Sequence, residues 1–214
     1  MPDFNVIANV SQTLVSVLTK SLEAVDPIGP SAPIALLHDW TEVPTQAQPV
    51  LLVFLFEVSE DPSARNRRRV REPDPADNRQ TIISKPPMAL LLRYLLTPWA
   101  PGANNQANRL LEHRILGRIA QTFYDGAIIS GADLLGKGDV PNGSGLEGSD
   151  EALKLTMAPL TLEDRTRIWA AVQQDYRLSL TYEVRVVNLA PTPGAPVPIV
   201  SSREIESGIL EEQP

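Results

Sequence analysis

The chain has no cysteine among its 214 residues and only two histidines, His38 and His113. The first absence excludes disulfides, thiolate metal sites and cysteine nucleophiles. The second excludes a histidine-rich metal centre. No stretch approaches the roughly 18 consecutive apolar residues that a spanning helix needs, so no membrane span is expected. The opening Met1-Pro2-Asp3 puts an acid where a secretory leader carries bases, so no leader is expected either. Aromatic residues are 5% of the chain, and none lies between Phe56 and Tyr94. That stretch holds the densest run of arginines, and a single-stranded nucleic-acid surface interleaves the two.

What is present is enough for a core. Hydrophobic residues make up 43% of the chain, and its 20 prolines sit largely in loops. The net charge of -7 argues against nucleic acid as the main partner. The charge is unevenly placed. Residues 1–60 hold seven acids and one base, residues 61–137 seven acids and twelve bases, and residues 138–214 twelve acids and six bases. A basic middle between acidic ends suits head-to-tail contact between copies, and it equally suits plain solubility.

The apolar pattern gives the elements. Val6, Ile7, Val10, Leu14, Val17, Leu18, Leu22 and Val25 recur at helical spacing, so 5–25 reads as an amphipathic helix. Ile34 to Leu37 reads as a short strand. Val50 to Val58 and Met88 to Thr97 are apolar on both faces, as central strands of a doubly covered sheet are. Between them, roughly 59–87 reads as a long polar connection. Residues 106–125 read as a helix that buries Leu110, Leu111, Ile115, Ile119 and Phe123 and stops at Gly126.

The remaining segments are shorter. Residues 127–135 read as a helical turn and 136–150 as a flexible loop. Leu153, Leu155 and Met157 mark a half-exposed strand. Thr161 with Asp164 opens a helix that buries Leu162, Ile168, Trp169 and Val172. Alternation from Arg177 to Val186 gives a strand with one wet face. The order of elements predicts an α+β fold: a mixed, largely antiparallel sheet with helices packed on it. One domain is expected over 1–190. It is followed over 191–214 by a Pro-rich linker and an acidic tail that either docks or stays mobile.

Three motifs touch on chemistry. Gly131 to Gly138 matches the phosphate-binding loop except at the last position, where Gly138 lacks the hydroxyl that holds magnesium. The turn Gly143-Ser144-Gly145 has no histidine downstream to activate its serine. His113 lies between Glu112 and Arg114 on a helix, where neighbours point apart, and reads as a surface or interface residue. No catalytic residue, cofactor or metal is therefore expected. The basic run Arg65, Arg67, Arg68, Arg69 and Arg71 reads as a protein contact or a solvated loop. With Arg109, Glu112 and His113 it makes up the candidate partner interface.

Taken together, the segments carry a resemblance. VSQTLVSVL is followed by VFLFEVSEDPSARN, KPPMALLLRYLLTPW, EHRILGRIAQTFYDG and TLEDRTRIWAAVQQDYRLSLTYEVRVV. Pro86-Pro87 leads into a Leu-rich strand with Tyr94, Glu112-His113-Arg114 precedes Leu116-Gly117, and Trp169 precedes Tyr176 and Tyr182-Glu183-Val184. Over roughly residues 5–190 this resembles the tail-terminator, or cap, proteins of extracellular contractile injection systems. These are particles of the virulence-cassette and antifeeding-prophage kind, and the family was first catalogued as a domain of unknown function. The resemblance implies a structural subunit of a hexameric ring that ends the inner tube and sheath. It implies tube and sheath proteins as partners, assembly in the bacterial cytoplasm and residence in the particle. A soluble adaptor that binds an acidic partner through Arg65–Arg71 is the alternative, and a nucleotide-binding protein using Gly131–Gly138 a further one.

Overall fold

The computed structural model describes residues 3–24, 33–42, 44–45, 47–65, 68–74, 76–77, 79–102, 105–136, 145–189, 191 and 196–198. Three helices are present among them: α1 (Val6–Glu23), α2 (Gln106–Asp125) and α3 (Leu162–Ala171). The strands are β1 (Ile34–Leu37), β2 (Val50–Glu60), β3 (Val70–Pro73), β4 (Gln80–Ser84), β5 (Met88–Trp99), β6 (Ile128–Ser130), β7 (Ala152–Met157), β8 (Leu180–Leu189) and β9 (Pro196–Pro198). They form two compact units. The smaller contains β3, β4 and β9, and the larger holds the other elements.

The larger unit is a six-stranded sheet in the order β1-β2-β5-β8-β7-β6. Only β1 and β2 run parallel; every other pair is antiparallel. This is the mixed, largely antiparallel α+β fold expected from the sequence. On one face, Leu51, Val53, Leu92, Tyr94, Leu96, Tyr182 and Val184 meet α1 and α2 in a single core. From α1, Val6, Val10, Leu14, Leu18 and Leu22 enter that core, each at most 2% exposed. Each such burial is worth about 1.5–3 kcal/mol relative to exposure, so packing rather than propensity holds the helix. Helix α2 adds Ile115, Leu116, Ile119 and Phe123, the last edge-on to Tyr182 at 4.7 Å. On the other face, Val50, Leu52 and Leu95 pack with Trp40 and Trp169. The two indoles meet edge to face at 4.8 Å.

The helix ends follow from local hydrogen bonding. The Asn105 side chain accepts from the Asn108 N–H at 2.9 Å and opens α2, and the Gly126 N–H donates to the Thr122 carbonyl to close it. At α3, the Thr161 hydroxyl accepts from the Asp164 N–H at 3.1 Å and donates to the Asp164 carboxylate at 2.6 Å. Asp is one methylene shorter than the Glu of a full capping box, so the reciprocal bond runs to the hydroxyl.

Several expectations change. Leu110 and Leu162 are 49% and 71% exposed. Leu110 lies on the side of α2 away from the buried Ile115, Ile119 and Phe123, and Leu162 lies in the first turn of α3, off the arc that buries Trp169. Strand β8 has no wet face at its centre, since Thr181 and Glu183 are buried. Its flanking strands β5 and β7 close both sides, and residues 156–160 line a cleft over Glu183. Residues 127–135 hold the expected short helical turn, of 3-10 type at Gly131–Asp133, and before it the strand β6, which was not expected. The polar stretch after β2 contains a hairpin, β3–β4. Its turn is set by two aspartates: the Asp74 carboxylate accepts from the Ala76 N–H and Asp77 from the Arg79 N–H, both at 2.9 Å. The Pro-rich segment supplies β9, which pairs with β4. Residues 137–144 of the predicted loop and the tail 199–214 lie outside the described residues.

Tyr94 joins the sheet to α1. Its hydroxyl bonds the Ser11 hydroxyl at 2.8 Å in a buried position. Burial pushes the Tyr94 pKa up to about 12, against the opposing pull of the Ser11 hydrogen bond. A raised folded pKa keeps its stability contribution below the unfolded pKa near 10 and loses it as pH rises through the folded value. Tyr94→Phe removes that bond, leaves Ser11 only its bond to the Ile7 carbonyl at 3.0 Å, and is expected to cost about 1 kcal/mol at neutral pH. In urea unfolding titrations, that deficit is expected to shrink and reverse between pH 10 and about 12.

Candidate assembly surface

The structure distributes the predicted interface residues over separate places. Arg65 follows the short turn Pro62–Ala64 in the larger unit and pairs with Glu60 at 3.0 Å. Arg68, Arg69 and Arg71 are exposed in the smaller unit, Arg71 on β3. Arg67 lies outside the described residues. Arg109 and His113 are exposed on α2. Glu112 turns toward the fold instead: it accepts from the Ala100 N–H at 3.2 Å and lies 3.9 Å from Arg177. Arg177 in turn stacks over Trp99, 3.9 Å from the ring centre. Burial lowers the Arg177 pKa, with Glu112 and Asp175 opposing it.

A charged ladder across three strands went unnoticed in the sequence. Arg93 of β5 lies opposite Glu57 of β2 and Glu183 of β8. Its guanidinium donates to Glu57 at 2.9 Å and to Glu183 at 3.1 Å. Arg185 adds a second donor to Glu183 at 2.5 Å. Burial alone would lower the Arg93 pKa, but the hydrogen bonds to Glu183 and Glu57 outweigh it and leave the pKa raised. Arg185 is raised chiefly by its hydrogen bond to Glu183. A bulge makes the ladder possible. Register shifts between Leu55 and Glu57, so Phe56 has no opposite residue. Without that extra residue, strand alternation would send Glu57 to the helix-covered face with Val53 and Leu55. The one readable signal was a lone arginine inside MALLLRYLLT.

The motifs with catalytic overtones serve the fold where they are described. Gly131 begins a 3-10 turn, and Leu134 is buried in the core. The Leu135 N–H donates to Thr13 of α1 at 2.9 Å, so that backbone donor is engaged internally. Gly136 presses on α1: a side-chain carbon there would come within 2.1 Å of Asn9. Lys137, Gly138, Gly143 and Ser144 lie outside the described residues. His38 accepts from the Trp40 N–H at 2.8 Å through Nδ1, which positions the Trp40 indole. No helix among the described residues is long and apolar enough to cross a membrane.

The outer surface of the larger unit is where large side chains stay uncovered. Tyr124 on α2 is 86% exposed and Leu162 on α3 71% exposed. The arrangement offers contact surfaces built on helices, with charged groups beside apolar ones.

A family model described as the Pvc16 N-terminal domain matches residues 9–202. Among solved structures, the chain is similar to the sheath/tube terminator of an extracellular contractile injection system of the PVC type in its extended state. Identity is 18% and the TM-score 0.59, over 96% of this chain and 65% of that one. It is also similar to the tube-terminating cap of the anti-feeding prophage, with 19% identity and a TM-score of 0.58 over 92% of this chain and 60% of that one. The chain thus spans less than two thirds of the length of either. Among curated proteins, none matches the chain.

Arg93→Met takes from Glu57 and Glu183 their shared partner, while Glu183 keeps Arg185, and is expected to cost about 1–2 kcal/mol in urea unfolding. Combining it with Glu183→Leu should recover much of that loss. Arg65→Ala, at an exposed pair, should stay within about 0.5 kcal/mol of the wild type.

Proposed function

Since the chain belongs to the Pvc16 N-terminal domain family, we propose that it is a structural cap subunit. In this reading it forms a ring that ends the inner tube and sheath of a phage-tail-like contractile injection particle. The observation that carries the reading is the shared fold. A sheath/tube terminator and a tube-terminating cap are similar in fold to this chain over 96% and 92% of its length. The fold supplies broad side-chain faces for neighbours, which is what a cap needs.

A hexameric ring is the proposed assembly, with the last tube and sheath layers as its partners. Copies meet through unlike surfaces, because only heterologous contacts close into a ring of more than two. The subunit acts by shape and contact, not by catalysis. It joins the particle during assembly in the cytoplasm and stays with it. The domain assignment proposed is a terminator-like body over 1–190 and an accessory segment over 191–214. Arg65, Arg67, Arg68, Arg69, Arg71, Arg109, Glu112 and His113 remain the proposed pool of contact residues.

A second reading has one observation in its favour. Arg68, Arg69 and Arg71 are exposed in a unit distinct from the sheet core. An adaptor that binds an acidic partner there would lose that partner on charge reversal and keep any oligomer.

Electron microscopy of the purified protein, alone and with its tube protein, tests the cap reading. Rings of uniform stoichiometry at tube ends are expected, and removal of the gene should give particles of uncontrolled length or without a stable sheath. A chain that stays monomeric and never co-purifies with tube or sheath overturns it.

A further inference from the structure

Buried polar atoms without a protein partner gather at one place in the fold. Among the described residues six such side-chain atoms are present. One, Asn9 Nδ2, lies on α1. The other five are Trp40 Nε1, Thr97 Oγ1, Arg165 Nε, Trp169 Nε1 and Thr181 Oγ1, and all belong to the docking site of α3. Trp40 and Trp169 meet there edge to face. Thr97 stands opposite Leu52 and Thr181 opposite Leu95, and these leucines are the floor beneath the indoles. Residues opposite each other in a sheet share a face, so both hydroxyls lie on that floor. Thr97 is 0% and Thr181 4% exposed, which keeps both from bulk water. Arg165 precedes Trp169 by one helical turn and leaves α3 on the same side.

Backbone strain gathers at the same site. Among the described residues, the non-glycine positions with positive φ are Trp40 at 63° and Gln173 at 55°. That conformation is unfavourable for a bulky side chain. Trp40 is held in it by its N–H bond to His38 Nδ1 and by the ring contacts on either side. Gln173 takes the left-handed place beyond α3 that glycine usually fills. The packing that offsets these costs is thin. Helix α1 buries eight residues and α2 four, whereas α3 buries Trp169 alone, with half-buried Ile168 and Val172 beside it.

We propose that α3 is a latch poised to open: it lifts off the sheet as a unit while α1, α2 and the β2–β5 pair stay folded. An unpaired buried polar group carries its full desolvation cost in the closed state and regains water in the open one. Opening hydrates the Trp169 indole N–H and the Thr97 and Thr181 hydroxyls, and it lets Gln173 leave its strained conformation. The gap between closed and open is therefore smaller for α3 than for α1 or α2, whose docking faces carry more apolar burial. The same motion uncovers Leu52 and Leu95, which the closed fold hides. The inference concerns the single chain and stands apart from the ring reading.

Hydrogen exchange of the full chain under native conditions, read by mass spectrometry, tests it. Amides of 166–172 are expected to exchange at least about 100-fold faster than those of 115–123 in α2, with little dependence on added urea because a local opening exposes little surface. Fast exchange alone would suit any short surface helix, so a variant decides. Thr97→Val with Thr181→Val keeps the shape of both side chains and removes the unpartnered hydroxyls. It should slow exchange in α3 about 10-fold, and each single substitution should give part of that slowing. Exchange in α3 as slow as in α2 overturns the latch. So does a double variant in which α3 exchanges at the wild-type rate or faster, since the hydroxyls are then satisfied in the closed state or carry no weight in opening. Fast exchange in the wild type together with slowing in the double variant supports it, whatever the oligomeric state of the chain.

Discussion

The larger unit depends on the antiparallel pairing of β2 with β5, which runs from Val50 opposite Trp99 to Glu60 opposite Leu90. From Val50 to Leu55 the pair is apolar on both faces, so that half must be covered twice. Helices α1 and α2 cover one face, and Trp40 with α3 covers the other. Strand β8 extends the pair beyond β5 and β1 extends it beyond β2. Removing apolar area from either face would expose the other half of the same strands, so the two cores are linked through one set of backbones. That coupling explains why a short helix such as α3, with Trp169 as its single fully buried side chain, still docks. Its indole fills a site whose floor, Leu52 and Leu95, is fixed from the far side of the sheet.

The same pair shows what was legible in the sequence and what was not. A run such as VLLVFLFEV declares a strand covered on both sides, because burial is local information and each residue carries it. The pattern in 6–22 declares α1 for the same reason. The bulge at Phe56 is different. It depends on which residue of another strand stands opposite, and no property of Phe56 itself reports that. The ladder of Glu57, Arg93, Glu183 and Arg185 follows from that register, so it was hidden along with it. The alternation in β8 misled for a related reason. Thr181 and Glu183 look solvent-facing by type, yet Glu183 is buried against two arginines brought in from elsewhere. The hairpin β3–β4 was hidden by composition: its charged and proline-rich residues read as a loop, and its strand character comes from pairing and from the Asp74 and Asp77 turn.

The surface shows the converse. Leu110 and Leu162 were expected inside, Leu110 by its apolar type beside Leu111 and Leu162 by its seven-residue spacing from Trp169. The fold leaves both out, one on each helix that flanks the sheet. An apolar residue that fits the pattern and is still exposed is more informative than one that violates it. The pattern was retained while its use was moved from the core to the surface.

How copies of such a fold can meet is limited by its sheet edges. In the six-stranded sheet the outer strands are β1, of four residues, and β6, of three. In the three-stranded sheet the outer strands are β3, which ends at Pro73, and β9, which is Pro-Val-Pro. Short strands offer few backbone groups, and proline removes the donor that a ladder needs. Strand-to-strand addition therefore has little to work with among the described residues, and side-chain faces must carry any repeated contact. Exposed apolar side chains on α2 and α3, Tyr124 and Leu162 among them, are available for such contacts.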